Sequence, residues 1–178
     1  MQDAVRICRL AAVDEAAIAA LAGILVDCVD GGASVSFLRP MPRAKAEAFW
    51  RAVAAGVSAG ERALLVAEDA AGAIVGAVQI VLAQPDNQSH RADIAKLLVH
   101  RKARRMGAGA ALMRAAEATA ADERKTLLVL DTATGSDAER LYQRLGWQLC
   151  GRIPDYALTP DGELTPTTIF YKRIAVPR

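Results

Sequence analysis

The segment Arg104-Arg105-Met106-Gly107-Ala108-Gly109 has the clearest chemical potential in this chain. Two glycines one residue apart let a backbone come close to a ligand. An alanine-rich run follows, and a helix opening there aims its unpaired N–H groups and the positive end of its dipole at whatever the loop holds. Such a cradle suits an anion, most naturally a phosphate or pyrophosphate. Arg101, Lys102, Arg104 and Arg105 add attraction for a polyanion. Two other phosphate motifs do not fit. No Gly-Lys-Ser/Thr tripeptide of a P-loop occurs, and position 112 is Leu112 where a dinucleotide fingerprint needs its third glycine.

The elements that must position this loop can be read from periodicity and punctuation. Val5, Ile7 and Arg9 alternate as a first strand, and Asp14 caps a helix reaching about Asp30, stopped by Gly31-Gly32. Pro42 sits in the first turn of a second helix, which Gly60 ends. Leu64 to Glu68 and Ile74 to Leu82 form a hairpin through Asp69-Ala70-Ala71-Gly72. A loop from Pro85 to Ser89 leads to a strand, Ala92 to His100, then a helix from Gly107 to about Ala121 and a buried strand, Leu127 to Asp131. Ser136-Asp137-Ala138-Glu139 is a capping box for another helix closed by Gly146. Trp147 to Ile153 and Thr168 to Ile174 complete the strands. A length of 178 residues suits one domain, expected over 1–178. Pattern alone says mixed α/β.

Composition narrows the partners. Lys+Arg 22 against Asp+Glu 20 leaves +2, too little for a chain devoted to nucleic acid, and no aromatic residues accompany the basic run. Cys8, Cys28 and Cys150 stand singly, without a Cys-x-x-Cys pair or a metal-ligand cluster. They read as small, buried or half-buried apolar residues in a reducing compartment. Met1-Gln2-Asp3-Ala4 lacks the basic start and apolar stretch of a signal peptide, and no run has the length of a membrane helix. A cytoplasmic protein is expected, with neither nucleic acid nor membrane as partner and no metal.

The spacing Arg-x-x-Gly-x-Gly after a strand ending in valine resembles the acetyl-CoA signature of the GNAT superfamily of N-acetyltransferases. Ala138-Glu139-Arg140-Leu141-Tyr142 with Leu145-Gly146-Trp147 resembles the helix and turn after that family's fifth strand. The resemblance implies a GNAT fold: a central, mostly antiparallel seven-stranded sheet, splayed between strands four and five, with about four helices. It implies acetyl-CoA as co-substrate, held by Leu98 and Val99 on the fourth strand and by the backbone of Arg104, Arg105, Met106, Gly107, Ala108, Gly109 and Ala110. An N–H near Val99 would polarise the thioester carbonyl. Two departures stand out: Arg101 replaces a frequent proline, and Gly135 an asparagine that often contacts the coenzyme.

Acetyl transfer to an amine needs a proton acceptor and a proton donor. Asp93 starts the fourth strand and Asp131 ends the fifth, so both could face the cleft between them as base or ammonium partner. Asp93 could equally be a solvated strand start, and Asp131 a turn cap with Thr132. Tyr142 occupies the position of the family's general-acid tyrosine. On an amphipathic helix it could also be a packing residue beside Leu141 and Leu145. Gly31 to Val35, Arg91-Ala92-Asp93 with Lys96-Leu97, Leu130-Asp131-Thr132 and Thr159 to Gly162 resemble the branch of the family that acetylates a small amino-acid-type toxin. Ser34, Phe37 and Tyr156, with Asp93 and Asp131, are therefore the expected contacts of a small amine, and Arg152 a partner for its carboxylate. Other readings are a non-catalytic acyl-CoA sensor on the same fold, or acetylation of a protein N-terminus or lysine. A monomer or homodimer is expected.

Overall fold

The computed structural model describes residues 5–176. The start of the chain, read above as carrying no targeting segment, lies outside them. The order is β1 (Arg6–Arg9), α1 (Glu15–Asp30), α2 (Arg43–Ser58), β2 (Arg62–Glu68), β3 (Ile74–Val81), β4 (Arg91–Val99), α3 (Ala108–Asp122), β5 (Leu127–Ala133), α4 (Asp137–Arg144), β6 (Gln148–Leu158) and β7 (Leu164–Arg173). Short 3₁₀ turns cover Asp86–Gln88 and Arg101–Ala103. One seven-stranded sheet has the order β1-β2-β3-β4-β5-β7-β6, and only the β4–β5 pair is parallel.

Local chemistry explains the boundaries. Asp14 Oδ1 accepts from the Ala17 N–H at 2.8 Å and starts α1. Ser136 Oγ accepts from the Glu139 N–H at 3.1 Å and starts α4. In the β2–β3 turn, Asp69 Oδ1 accepts from the N–H groups of Ala71 and Ala73, both at 2.9 Å. Pro42 turns out to be the N-cap of α2 rather than its first helical residue.

Both faces of the sheet are covered over β2, β3 and β4. Leu65, Val78, Ile80 and Ile94 pack beneath α3 with Leu112, Met113, Leu128, Leu130 and Phe170. Leu64, Val66, Ala77 and Leu98 pack beneath α1 and α2 with Leu21, Leu25 and Trp50. Strand β2 is therefore a continuous apolar run rather than an alternating one, as a doubly covered strand must be.

Two features of β4 shape the site. Its ladder with β5 covers only Arg91–Asp93 against Leu127–Val129, after which the strands part. Its register with β3 skips a residue, since Ala77 faces Leu98 while Gln79 faces Ala95. Lys96 and Leu97 thus share Val78 in a bulge, and Lys96 takes a left-handed φ of 52°.

The last strands are longer than their sequence suggests. β6 runs to Leu158 and β7 begins at Leu164, despite Pro154 and Pro166. Pro154 sits in a bulge of the edge strand, and Pro166 lies one residue past the last β5–β7 pair, so neither removes a needed ladder donor. Cys8 and Cys28 are half-buried and buried, as read above, but Cys150 is exposed on the edge strand β6.

Candidate active site

The phosphate cradle is built from backbone. Gly107 caps α3 at a φ of 82° and supplies no side chain to the helix start. A Cβ there would meet open space, so the glycine is required by its left-handed conformation and not by crowding. Gly109 has the opposite reason: its Cβ position lies 3.2 Å from Leu141 Cδ2, which lets α3 and α4 close on each other. With no capping side chain, the N–H groups of Ala108, Gly109 and Ala110 have no partner among the described residues and can receive an anion. Arg105 and Met106 are exposed on the same loop.

The loop is tethered to α1. Asp27 accepts from the Arg101 N–H and from Arg101 Nε, both at 2.8 Å. Burial pushes the Asp27 carboxyl up, but these donors and the nearby His100 outweigh it and leave it below the usual range. Arg101 is the clamp. Arg104 folds back, its Nε donating to the Val99 carbonyl at 3.2 Å. Leu98 is buried in the core and can offer a ligand only its backbone.

Three groups that influence one another electrostatically lie around the parting of β4 and β5. Tyr142 lies beneath the sheet on the α3 side, its ring 6.1 Å from those of Trp147 and Phe170. Burial pushes its phenol well above the ordinary range, and the negative charge of Asp131 adds to the shift. Asp131 is exposed and, by alternation with the buried Leu128 and Leu130, faces the other side of β5. Among the described residues its carboxylate makes no side-chain hydrogen bond or ion pair. Lys96 enters from the bulge. Burial pushes its ammonium down, Asp131 pulls it back up, Arg62 pushes it down, and the net shift is downward. Asp131 is thus within electrostatic reach of both Tyr142 and Lys96.

The other expected contacts divide. Asp93 pairs with Val129, two residues before Asp131 on the neighbouring strand, so the two acids share a face. Its carboxylate is already engaged by Arg91 and by Gln84 Nε2 at 3.1 Å. Ser34 Oγ donates to the Leu158 carbonyl at 3.4 Å and ties the α1–α2 loop to the β6–β7 hairpin. Phe37 packs edge-on to Phe49 at 5.3 Å, with Lys45 Nζ 5.8 Å from its ring centre. Tyr156 is 55% exposed in the bulged part of β6.

Sequence reading missed three residues here. Lys96 is one, although a lysine inside Ile94-Ala95-Lys96-Leu97-Leu98-Val99 breaks the alternation and signals a bulge. Ser36 is another; its Oγ accepts from Lys96 Nζ at 2.9 Å, and its own φ is 75°. The third is Glu139, buried at 4% exposure. It accepts from the Gly135 N–H, from Arg152 Nη2 at 3.0 Å and from Thr168 Oγ1 at 3.0 Å. Burial pushes its carboxyl up, but these donors hold it below the usual range. Arg152, expected to meet a substrate carboxylate, is instead engaged by this buried acid. The Gly135 N–H is likewise turned inward, at a φ of 80° that glycine and asparagine adopt most readily.

The pattern of the Acetyltransferase (GNAT) family matches residues 33–147, more than half of the chain. Solved structures share the whole fold at low identity. An acetyltransferase candidate from Acinetobacter baylyi ADP1 is 16% identical with a TM-score of 0.82, covering 98% of this chain and 95% of its own. A GCN5-related N-acetyltransferase from Kribbella flavida is 20% identical with a TM-score of 0.79, over 96% and 98% of the two chains. A phosphinothricin acetyltransferase from Sinorhizobium meliloti, solved with acetyl-CoA, is 17% identical with a TM-score of 0.77, over 98% and 90%. No helix among the described residues is long and apolar enough to cross a membrane. With the splayed sheet, the uncapped helix start and the family match together, this chain belongs to the acetyltransferase (GNAT) family and is an acetyl-CoA-dependent acyltransferase.

Proposed function

We propose that the chain moves an acetyl group onto the primary amine of a small amino-acid-like or peptide-like molecule, as in the tabtoxin resistance proteins its sequence resembles. The observation that carries this reading is Asp131. Its carboxylate, on β5 where β4 and β5 part, has no side-chain partner among the described residues and acts electrostatically on both the Tyr142 phenol and the Lys96 ammonium. A fold neighbour named for phosphinothricin fits a small acceptor. The α1–α2 loop and the β6–β7 hairpin narrow the acceptor side, held together by Ser34 and by the Arg39–Asp161 pair at 2.6 Å.

Bound acetyl-CoA supplies the thioester carbonyl and the leaving thiol, and the free N–H groups at the start of α3 hold its pyrophosphate. Asp131 draws in the substrate ammonium and takes its proton, directly or through a water, which exposes the nitrogen lone pair for attack. Asp93 lies on the same face with its charge balanced by Arg91, which leaves Asp131 as the acid that meets the amine. Tyr142 stays neutral at working pH because burial and Asp131 disfavour the phenolate, so it holds a proton for the departing thiolate sulfur. As the C–N bond forms and the C–S bond breaks, the nitrogen gives its second proton to the phenolate, and Asp131 releases the first to water, which restores the enzyme.

The test is release of free thiol from acetyl-CoA with a panel of amino acids, dipeptides, histone-type peptides and aminoglycosides. Asp131→Asn should lower kcat/KM about 100-fold, most strongly at low pH where the amine is hardest to deprotonate. Much faster turnover of histone-type peptides or aminoglycosides than of every small zwitterion would overturn the reading.

A further inference from the structure

Lys96 and Asp131 carry opposite charges, feel each other across the gap, and yet form no ion pair. The only polar partner of Lys96 Nζ among the described residues is Ser36 Oγ. Both ends of that contact are held in the left-handed region, Lys96 at a φ of 52° and Ser36 at 75°. Two strained backbones that converge on one contact mark a position held for a purpose other than packing. Beside them, Gln79 faces Ala95, the residue before Lys96, across the β3–β4 ladder. Gln79 is 1% exposed; its carbonyl accepts from Arg62 Nη1 at 2.9 Å, but its Nε2 donor is buried without an acceptor. Buried donors are normally satisfied, so an unpartnered amide opposite the residue before Lys96 leaves a donor for an acceptor that the described residues do not supply.

We propose that Lys96, with Ser36 and the Gln79 amide behind it, is the subsite that binds the carboxylate of an α-amino acid acceptor while Asp131 holds its ammonium. The proposal rests on the small-amine reading above and narrows it to acceptors with a free carboxylate. An unpaired cation and anion facing one gap match the separated charges of a zwitterion, and a neutral or purely cationic amine would leave Lys96 uncompensated. This role replaces Arg152, whose guanidinium is taken by Glu139. The lowered proton affinity of Lys96 agrees with a cation short of partners until a carboxylate arrives.

The experiment compares free L-amino acids with their carboxamides, which keep the amine and lose the negative charge. Wild type should prefer the acids. Lys96→Met should raise KM for the acids about 10- to 100-fold more than KM for the amides, the range for losing a hydrogen bond to a charged group. Lys96→Arg should restore part of the preference for acids. Ser36→Ala, at an exposed position, gives a second reading if Lys96→Met folds poorly; it should erode the preference several-fold. Equal KM for acids and amides in wild type overturns the subsite and leaves the small-amine function standing. So does a KM change in Lys96→Met that is the same for both series. If wild type acetylates neither series, the small-amine function fails and the subsite falls with it.

Discussion

The proposed coenzyme side and the proposed acceptor side of this sheet are made of different materials. The coenzyme side is backbone: a left-handed Gly107, an uncapped helix start, and a loop pinned by Asp27 through Arg101. The acceptor side is side chains: Asp131, Lys96, Ser36 and Asp93, brought together from three separate segments and a bulge. A backbone cradle depends on conformation and tolerates most changes of side chain. A side-chain pocket can be re-specified by single substitutions, which is how one fold keeps a donor and changes acceptors. Tyr142 stands between the two, packed in the coenzyme-side core and sensing the acceptor-side Asp131.

Substitutions can break this division. Tyr142→Phe keeps the ring packed against Trp147 and Phe170 but removes the proton. It should lower kcat about 10²- to 10⁴-fold with little loss of thermal stability. Unchanged kcat, with chemistry shown to limit the rate, would assign Tyr142 to packing alone. Glu139→Ala strips the buried acceptor from Arg152, Thr168 and the Gly135 N–H, and should destabilise the fold by about 3 kcal/mol in denaturant titration. Its wild-type contribution is full above pH 4.5, the ordinary value, and is lost as pH falls through the lower folded value.

Gly107→Val tests the backbone side. A branched residue at a φ of 82° is strained by about 1–2 kcal/mol, and the loop should shift and weaken CoA binding about 10-fold or more by calorimetry. Binding as tight as wild type would mean that the pyrophosphate sits elsewhere. The smallest effect belongs to the tether. Asp27→Asn should cost about 1 kcal/mol at neutral pH. Because the folded carboxyl lies below 3.8, wild type holds this stability above that value and loses it as pH falls through the folded one, so the two proteins should converge in thermal melts at the acid end of that range.

Much of the coenzyme side was legible in the chain because its signals are local. The loop Arg104 to Gly109, the capping residues Asp14 and Ser136 and the turn at Asp69 act within a few residues, and the structure realises each of them. Even there the reasons were only half readable. Gly107 and Gly109 look alike in sequence, yet one serves a left-handed turn and the other a close contact with Leu141, a residue of the next helix. The ends of β6 and β7 were misjudged because proline argues against strand locally, whereas bulging and the reach of neighbouring strands decide whether the missing N–H matters.

The acceptor side was legible only as a set of residues that could meet. Asp93 and Asp131 were marked by type and position, but their difference, one carboxylate committed to Arg91 and Gln84 and the other free, exists only once β4 and β5 lie side by side. Arg152 looked available until Glu139 was found buried against it. Lys96 gave only a break in alternation, and its partner Ser36 comes from 60 residues away. The sequence by itself determined the family, the order of elements and the glycine-opened start of α3, because caps, turns and periodicity are short-range properties of the chain. Which charges face the gap unpaired was decided by the tertiary structure, because pairing, burial and desolvation belong to segments that meet only in the fold.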